Sequence, residues 1–152
     1  MRHQAGAVSI IATGAPGSRS GLTATAVCSL SDRPPTLLAC VSRQASAHDP
    51  IASLGHFSVN LLASDQQDVA TTFSGKAGVK GEARFLNADW TVLDTGAPVL
   101  ASSLASLDCR LVDAHAFSTH SIFIAEVVAG RVRTGAEPLL YFRGDYWDLG
   151  SK

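Results

Sequence analysis

The apolar runs of this chain are cut short by glycine or proline before they exceed strand length, and that punctuation restricts the fold more than any other feature. Ala7–Thr13 (AVSIIAT) is rich in β-branched residues and stops at Gly14-Ala15-Pro16-Gly17, a turn signal. Gly21–Ser31 (GLTATAVCSLS) reads as a second extended segment, and Asp32-Arg33-Pro34-Pro35 breaks it because proline brings no N–H to a ladder. Thr36–Val41 (TLLACV) is a continuous apolar run, expected as a strand buried on both faces. The longest apolar stretches, such as Ala5–Ala12 and Ile122–Ala129, stay well below the ~18–20 residues of a spanning helix, and the N-terminus has no export-signal pattern.

Short helices are expected between the strands. Ser46-Ala47-His48-Asp49 has the spacing of a capping box and should open a helix over Pro50–Leu54. His56–Leu62 alternates and returns to strand. Ser64-Asp65-Gln66-Gln67-Asp68 should cap a second helix through Val69, Ala70 and Phe73, ending at Gly75. Gly75–Phe85, with three glycines and three basic residues, reads as an exposed loop or broken helix. A meander follows over Thr91–Leu93, Leu107–Ala116, Ser121–Arg133 and Leu139–Arg143. The expected architecture is one domain over residues 1–152, mainly β with interspersed helices, closed as a barrel.

A chain of 152 residues buries roughly 70% of its unfolded surface, so neither disulfides nor metal are needed to fold it. Twelve Lys+Arg against thirteen Asp+Glu leave a net charge of −1, which argues against a nucleic-acid partner. A hydrophobic fraction of 46% with only 16% charged residues argues against disorder and points to surface hidden in an oligomer. Cys28, Cys40 and Cys109 are widely spaced and odd in number, and read as buried thiols in a reducing, cytoplasmic compartment.

Familiar catalytic patterns fail. Gly14–Gly21 lacks the lysine of a phosphate loop, and Gly17–Gly21 centres on Arg19 where a nucleophile elbow needs serine, so a hairpin turn is expected. His115 and His120 would fall on opposite faces of one strand, which makes a metal site unexpected. Nothing marks one serine among many as the nucleophile of a Ser/His/Asp triad.

Two segments do carry a chemical suggestion. Thr23–Ser31 has small side chains that let a flat heterocycle approach the backbone, although an ordinary threonine-rich strand reads the same way. Ser42-Arg43-Gln44-Ala45-Ser46 precedes a helix start and could supply an anion site, or merely a cap and a solvated arginine. Together they suggest a phosphorylated heterocyclic cofactor.

The order Gly21-Leu22-Thr23-Ala24-Thr25, Ser29-Leu30-Ser31, Pro34-Pro35, Cys40-Val41-Ser42-Arg43 and Phe57–Leu62 with Gln66 resembles the short-chain flavin reductase family. Gly81–Phe85, His120–Val127 and Pro138–Tyr146 continue the match, which runs in register from about Ala5 to Leu149. The resemblance implies an FMN-binding split β-barrel, a homodimer, and hydride transfer from NADH or NADPH to FMN or FAD. Reduced flavin would then diffuse to a partner monooxygenase, as in 4-hydroxyphenylacetate hydroxylase systems. Alternatives within the same resemblance are reduction of a corrin cobalt and a flavin-binding module without turnover.

Carried over by position, Thr23, Ala24, Thr25, Ser29, Leu30 and Ser31 would line the ring and ribityl chain. Ser42, Arg43 and Ser46, with Lys80, would take the phosphate. His120 would face the nicotinamide as the catalytic residue, or serve as a hydrogen-bonded strand histidine. Tyr141, Arg143 and Tyr146 would lie near the nucleotide, the tyrosines alternatively as packing aromatics. The family's usual Thr-Ala-Asn reads Thr23-Ala24-Thr25 here, its Gly-Asp-His reads Ser118-Thr119-His120, and its Gly-Glu-Val reads Ala125-Glu126-Val127. Relatives usually carry a longer N-terminal helix, so a shortened N-terminus is expected.

Overall fold

A computed structural model describes residues 2–150. The strands are β1 (Gly6–Ala7), β2 (Ser9–Thr13), β3 (Ser20–Ala24), β4 (Val27–Asp32), β5 (Pro35–Ser42), β6 (His56–Leu61), β7 (Trp90–Thr91), β8 (Val99–Leu100), β9 (Ala105–Phe117), β10 (His120–Val132), β11 (Leu140–Phe142) and β12 (Asp145–Trp147). Two short helices intervene, α1 (His48–Leu54) and α2 (Gln67–Phe73). No described helix is long and apolar enough to cross a membrane.

Seven strands form one antiparallel sheet in the order β3-β2-β6-β9-β10-β5-β4. Its two edge strands, β3 and β4, are consecutive in the chain and joined only by Thr25-Ala26. Two residues span at most about 7 Å, so the sheet must curl until its edges meet. The result is a barrel, split between β3 and β4, which meet at the Thr25-Ala26 corner and do not pair. This is also why the extended segment expected over Gly21–Ser31 is two strands: each half pairs to a different edge.

Barrel closure creates two apolar regions. Ile11, Leu37, Ala39, Val41, Phe57, Val59, Cys109, Phe123 and Ala125 fill the interior, with Ala47 and Ile51 of α1 packed among them. On the outside, Val8, Ile10, Ala12 and Leu62 pack against Ala70 and Phe73 of α2 and against Phe85, Leu100 and Leu139. Strand β2 serves both, Ile11 inward and Ile10 and Ala12 outward, so all five of its residues are buried.

Several local expectations are corrected. Thr36–Val41 is buried on one face only: Leu37, Ala39 and Val41 point inward, while Leu38 and Cys40 are half-buried. Helix α1 begins at His48 with Ala47 at its cap, and Ser46 turns to bond Ser20 (3.3 Å) instead of capping it. Before α2, Ser64–Gln66 form a 3-10 turn in which Gln66 Oε1 accepts the Ala63 N–H (2.9 Å), so within the expected capping stretch Gln66 makes the bond. Strands β8 and β12 were not anticipated; at two and three residues they are too short to show a period. Of the cysteines, Cys109 alone is buried, and burial, reinforced by neighbouring Asp108, pushes its thiol up to about 12. Cys28 is exposed because edge strand β4 has an open outer face.

Candidate active site

The corner between β3 and β4 lies beside a small second sheet. Its order is β1-β11-β12, and its register sets Tyr141 opposite both Gly6 and Tyr146. The two tyrosine rings meet edge to face, 5.4 Å apart between centroids. Burial raises the Tyr146 hydroxyl above its ordinary range, so it is a neutral phenol across the physiological range.

Three contiguous basins surround this corner. The first, about 220 Å³, is lined by Thr23, Ala24 and Thr25, by Tyr141 and Tyr146, and by Lys76. Lys76 Nζ stands 5.9 Å from the Tyr141 ring centroid. The second, about 410 Å³, shares Thr25 and Tyr141 with the first and adds Arg2, Gln4 and Arg143. The third, about 440 Å³, shares Thr23 with the first and adds Gln44, Ser46, Lys80 and Arg84. A ring-sized basin is therefore flanked on both sides by basins carrying cations. Such a donor set fits a flat heterocycle with a phosphate-bearing tail.

The sequence-derived residues divide into three groups. Thr23, Ala24, Thr25, Ser46, Lys80, Tyr141, Arg143 and Tyr146 all line the connected basins. The Thr23 hydroxyl itself donates to the Ala70 carbonyl (2.7 Å), so that residue ties β3 to α2. Ser29 and Ser31 lie elsewhere, in an apolar groove of about 370 Å³ with Val59, Leu107 and Val127. Leu30 is exposed on the same edge strand.

Ser42, Arg43 and His120 form the third group, at the turn between β9 and β10. His120 pairs in register with Ser42, and the Arg43 side chain donates to the Ser118 carbonyl (3.3 Å). His120 is exposed, its Nδ1 2.8 Å from Thr119 Oγ1. The anion site expected over Ser42, Arg43 and Ser46 is thus divided within one chain, because Ser42 ends β5 while Ser46 turns toward β3. Arg2, Gln44, Ser74, Lys76 and Arg84 line the same basins and do not stand among the expected residues. Lys76 and Arg84 belong to the glycine-rich loop already marked by its charge, but their partners lie far away in sequence.

One arrangement imitates a hydrolase. His48 Nδ1 lies 2.7 Å from Asp49 Oδ1 and its Nε2 lies 2.8 Å from Ser121 Oγ, the order of a Ser/His/Asp triad. Ser121 is only 4% exposed, and the His48 ring packs on core residue Phe123 with centroids 5.3 Å apart. With its hydroxyl buried, Ser121 is not open to an acyl substrate. His115 pairs with Asp113 (2.9 Å), and no metal-binding cluster of three or more ligands occurs among the described residues.

Comparison with known proteins identifies the family and the fold. The family model described as a flavin reductase like domain matches residues 1–150. The FMN reductase (NADH) RutF 2 of Methylorubrum extorquens is 46% identical over 141 residues, 93% of this chain and 81% of that protein. Among solved structures, the Streptomyces globisporus NADH:FAD oxidoreductase SgcE6 superimposes with a TM-score of 0.90 at 27% identity, covering 98% of this chain and 89% of that one. BorF, the flavin reductase component of a bacterial two-component tryptophan halogenase, gives 0.90 at 29% identity, covering 99% and 94%. A match across the whole described chain, on a barrel whose corner carries a ring-sized basin between two cationic ones, places this protein in the flavin reductase like domain family.

Proposed function

We propose that the chain is an NADH-dependent flavin reductase that reduces FMN and releases it to a partner oxygenase. The observation that carries this reading is the sharing of Thr23, Thr25 and Tyr141 among three basins, which gives one flat-ring site two separate anion-binding flanks. Two phosphate-bearing cofactors meeting at one ring need that arrangement. Bound flavin supplies the hydride-accepting chemistry. The chain's own residues position and screen: the Thr23–Thr25 backbone and the tyrosine rings hold the flat group, while Lys80 and Ser46 take the flavin phosphate. Arg143, with Arg2, holds the anionic part of the nicotinamide dinucleotide.

NADH absorbance should fall on mixing protein with NADH and FMN under air, and stay constant when FMN is omitted. Parallel arms with NADPH and FAD rank the cofactors. A protein that retains FMN through gel filtration yet consumes no NADH would sink the reductase reading and leave the non-catalytic module.

His120, Ser42 and Arg43 enter the same proposal through a homodimer. Residues 112–117 of β9 are exposed on both faces, including Val112 (65%) and Phe117 (79%), an unusual state for apolar residues on a long hairpin. A second copy packed on this arm covers them and brings the His120 end toward the neighbour's basins, where the imidazole can orient a nicotinamide. Sedimentation should give twice the 15.8 kDa of one chain. V112D/F117D should shift it to monomer with loss of turnover; a monomeric wild type that turns over fully would refute this part.

A further inference from the structure

We infer that the Arg19–Glu82 ion pair is a latch that fixes Lys80 at the third basin and thereby sets the affinity for the phosphate of the flavin. The inference rests on the flavin reading above and names a positioning pair within it.

The segment from Gly75 to Gly81 is poorly restrained by its own sequence. Its glycines at 75, 78 and 81 all have positive φ (82°, 72° and 56°), and Lys76 and Lys80 make no ion pair among the described residues. Holding such backbone in one conformation costs conformational entropy. The restraint comes from side chains just beyond it. Glu82 accepts the Arg19 backbone N–H (2.8 Å) and its Nε–H (2.7 Å), and its Oε1 also takes the Arg19 Nη2. Arg84 donates to the Val79 carbonyl (2.9 Å) and, across the basin, to the Gly21 carbonyl (2.9 Å).

Both anchors end on the same piece of chain. Arg19 immediately precedes β3 and Gly21 lies on it, and the next residues, Leu22 and Thr23, line the third basin with Lys80. Lys80 is thus fixed relative to the wall it faces. The latch is no loose surface pair. Arg19 and Glu82 side chains are 17% and 30% exposed, and the guanidinium lies over the Phe85 ring, 4.7 Å from its centroid. Phe85 in turn packs against Phe73 and Trp90. The Arg19 hydrogen bonds hold the Glu82 carboxyl below its usual range, so the latch is ionised at neutral pH and weakens only on strong acidification.

Riboflavin, which has the ring and ribityl chain but no phosphate, separates this role from general stapling. For E82Q, the FMN Kd should rise about tenfold while the riboflavin Kd changes less than about twofold. K80A should show the same selective loss, and E82Q/K80A should bind FMN no more weakly than K80A alone, because both act through the same Lys80 ammonium. Should E82Q fold poorly, the exchange R19E/E82R restores the pair and should recover FMN affinity. Equal weakening of FMN and riboflavin, an unchanged FMN Kd, or additive losses in the double variant would each overturn the latch. Wild-type protein binding neither flavin would overturn the flavin reading itself, an outcome distinct from these.

Discussion

Replacing Asn60 with leucine is expected to lower stability by roughly 3 kcal/mol. Asn60 is fully buried on β6. Its Nδ2 donates to the Ile10 carbonyl (3.1 Å) and to Ser58 Oγ (2.8 Å), and its Oδ1 accepts the Leu100 N–H (2.9 Å) and the Ser106 hydroxyl (2.9 Å). One side chain therefore joins β2, β6, β8 and β9. Leucine fits the volume but leaves the Leu100 N–H without its partner in a dry interior, at about 1–3 kcal/mol, and removes the charge-free donors and acceptors that hold Ser58 and Ser106. Urea unfolding should show the loss in the midpoint, and the melting temperature should drop by roughly 10 °C for a chain of this size. A drop below about 1 kcal/mol would mean that water enters and replaces the amide.

The role of Asn60 also shows where sequence reading stops. Phe57-Ser58-Val59-Asn60 was legible as an alternating strand, because side chains two apart share a face. That Asn60 would be buried against a second layer was not, since alternation alone marks it as the outward, solvated side. The layer that covers it is the Pro98–Leu100 stretch around β8, 40 residues away in sequence. The same limit explains the β3–β4 corner. Thr25-Ala26 carries no turn chemistry, and the break there is imposed by pairing to opposite sheet edges. Turns written in glycine and proline, such as Gly14–Gly17 and Arg33–Pro34, were read directly.

The candidate site divides along the same line. Thr23–Thr25, Lys80 and Tyr141 with Tyr146 are expected from the family resemblance, and in the fold they line basins that adjoin one another. Arg19 and Glu82 stand 63 residues apart, and neither residue's type announces the other. Ser29 and Ser31 are expected beside Thr23–Thr25 from the family resemblance, yet the chain passes to the opposite sheet edge between them and they line a different groove.

Gly21→Val should cost both the fold and the flavin site, because Gly21 is where the two are built against each other. A Cβ there would lie 2.8 Å from Phe73 Cε1 and 3.0 Å from the Ile11 carbonyl oxygen, closer than a carbon tolerates. Phe73 cannot swing aside cheaply. It is buried, with Phe85 at 5.0 Å and Trp90 at 5.5 Å between ring centroids, and α2 carries it. The Ile11 oxygen is backbone in a strand buried on both faces, so it moves only with the barrel wall. Overpacking of this kind costs about 1–3 kcal/mol even when structure yields, and valine adds two methyl groups beyond the clash. Moving β3 away from β2 also shifts the Gly21 carbonyl that receives Arg84, and with it the wall opposite Lys80. We therefore expect Gly21→Val to lose about 3 kcal/mol and Gly21→Ala about half of that. Folded Gly21→Ala protein should bind FMN at least about tenfold more weakly, since a displacement near 1 Å at a positioned charge has that order of effect. Melting and FMN titration on both variants check this. Valine protein with wild-type melting and wild-type FMN affinity would show that β3 can bow outward at Gly21 without disturbing either core or basin, and the close approach would then carry no structural weight.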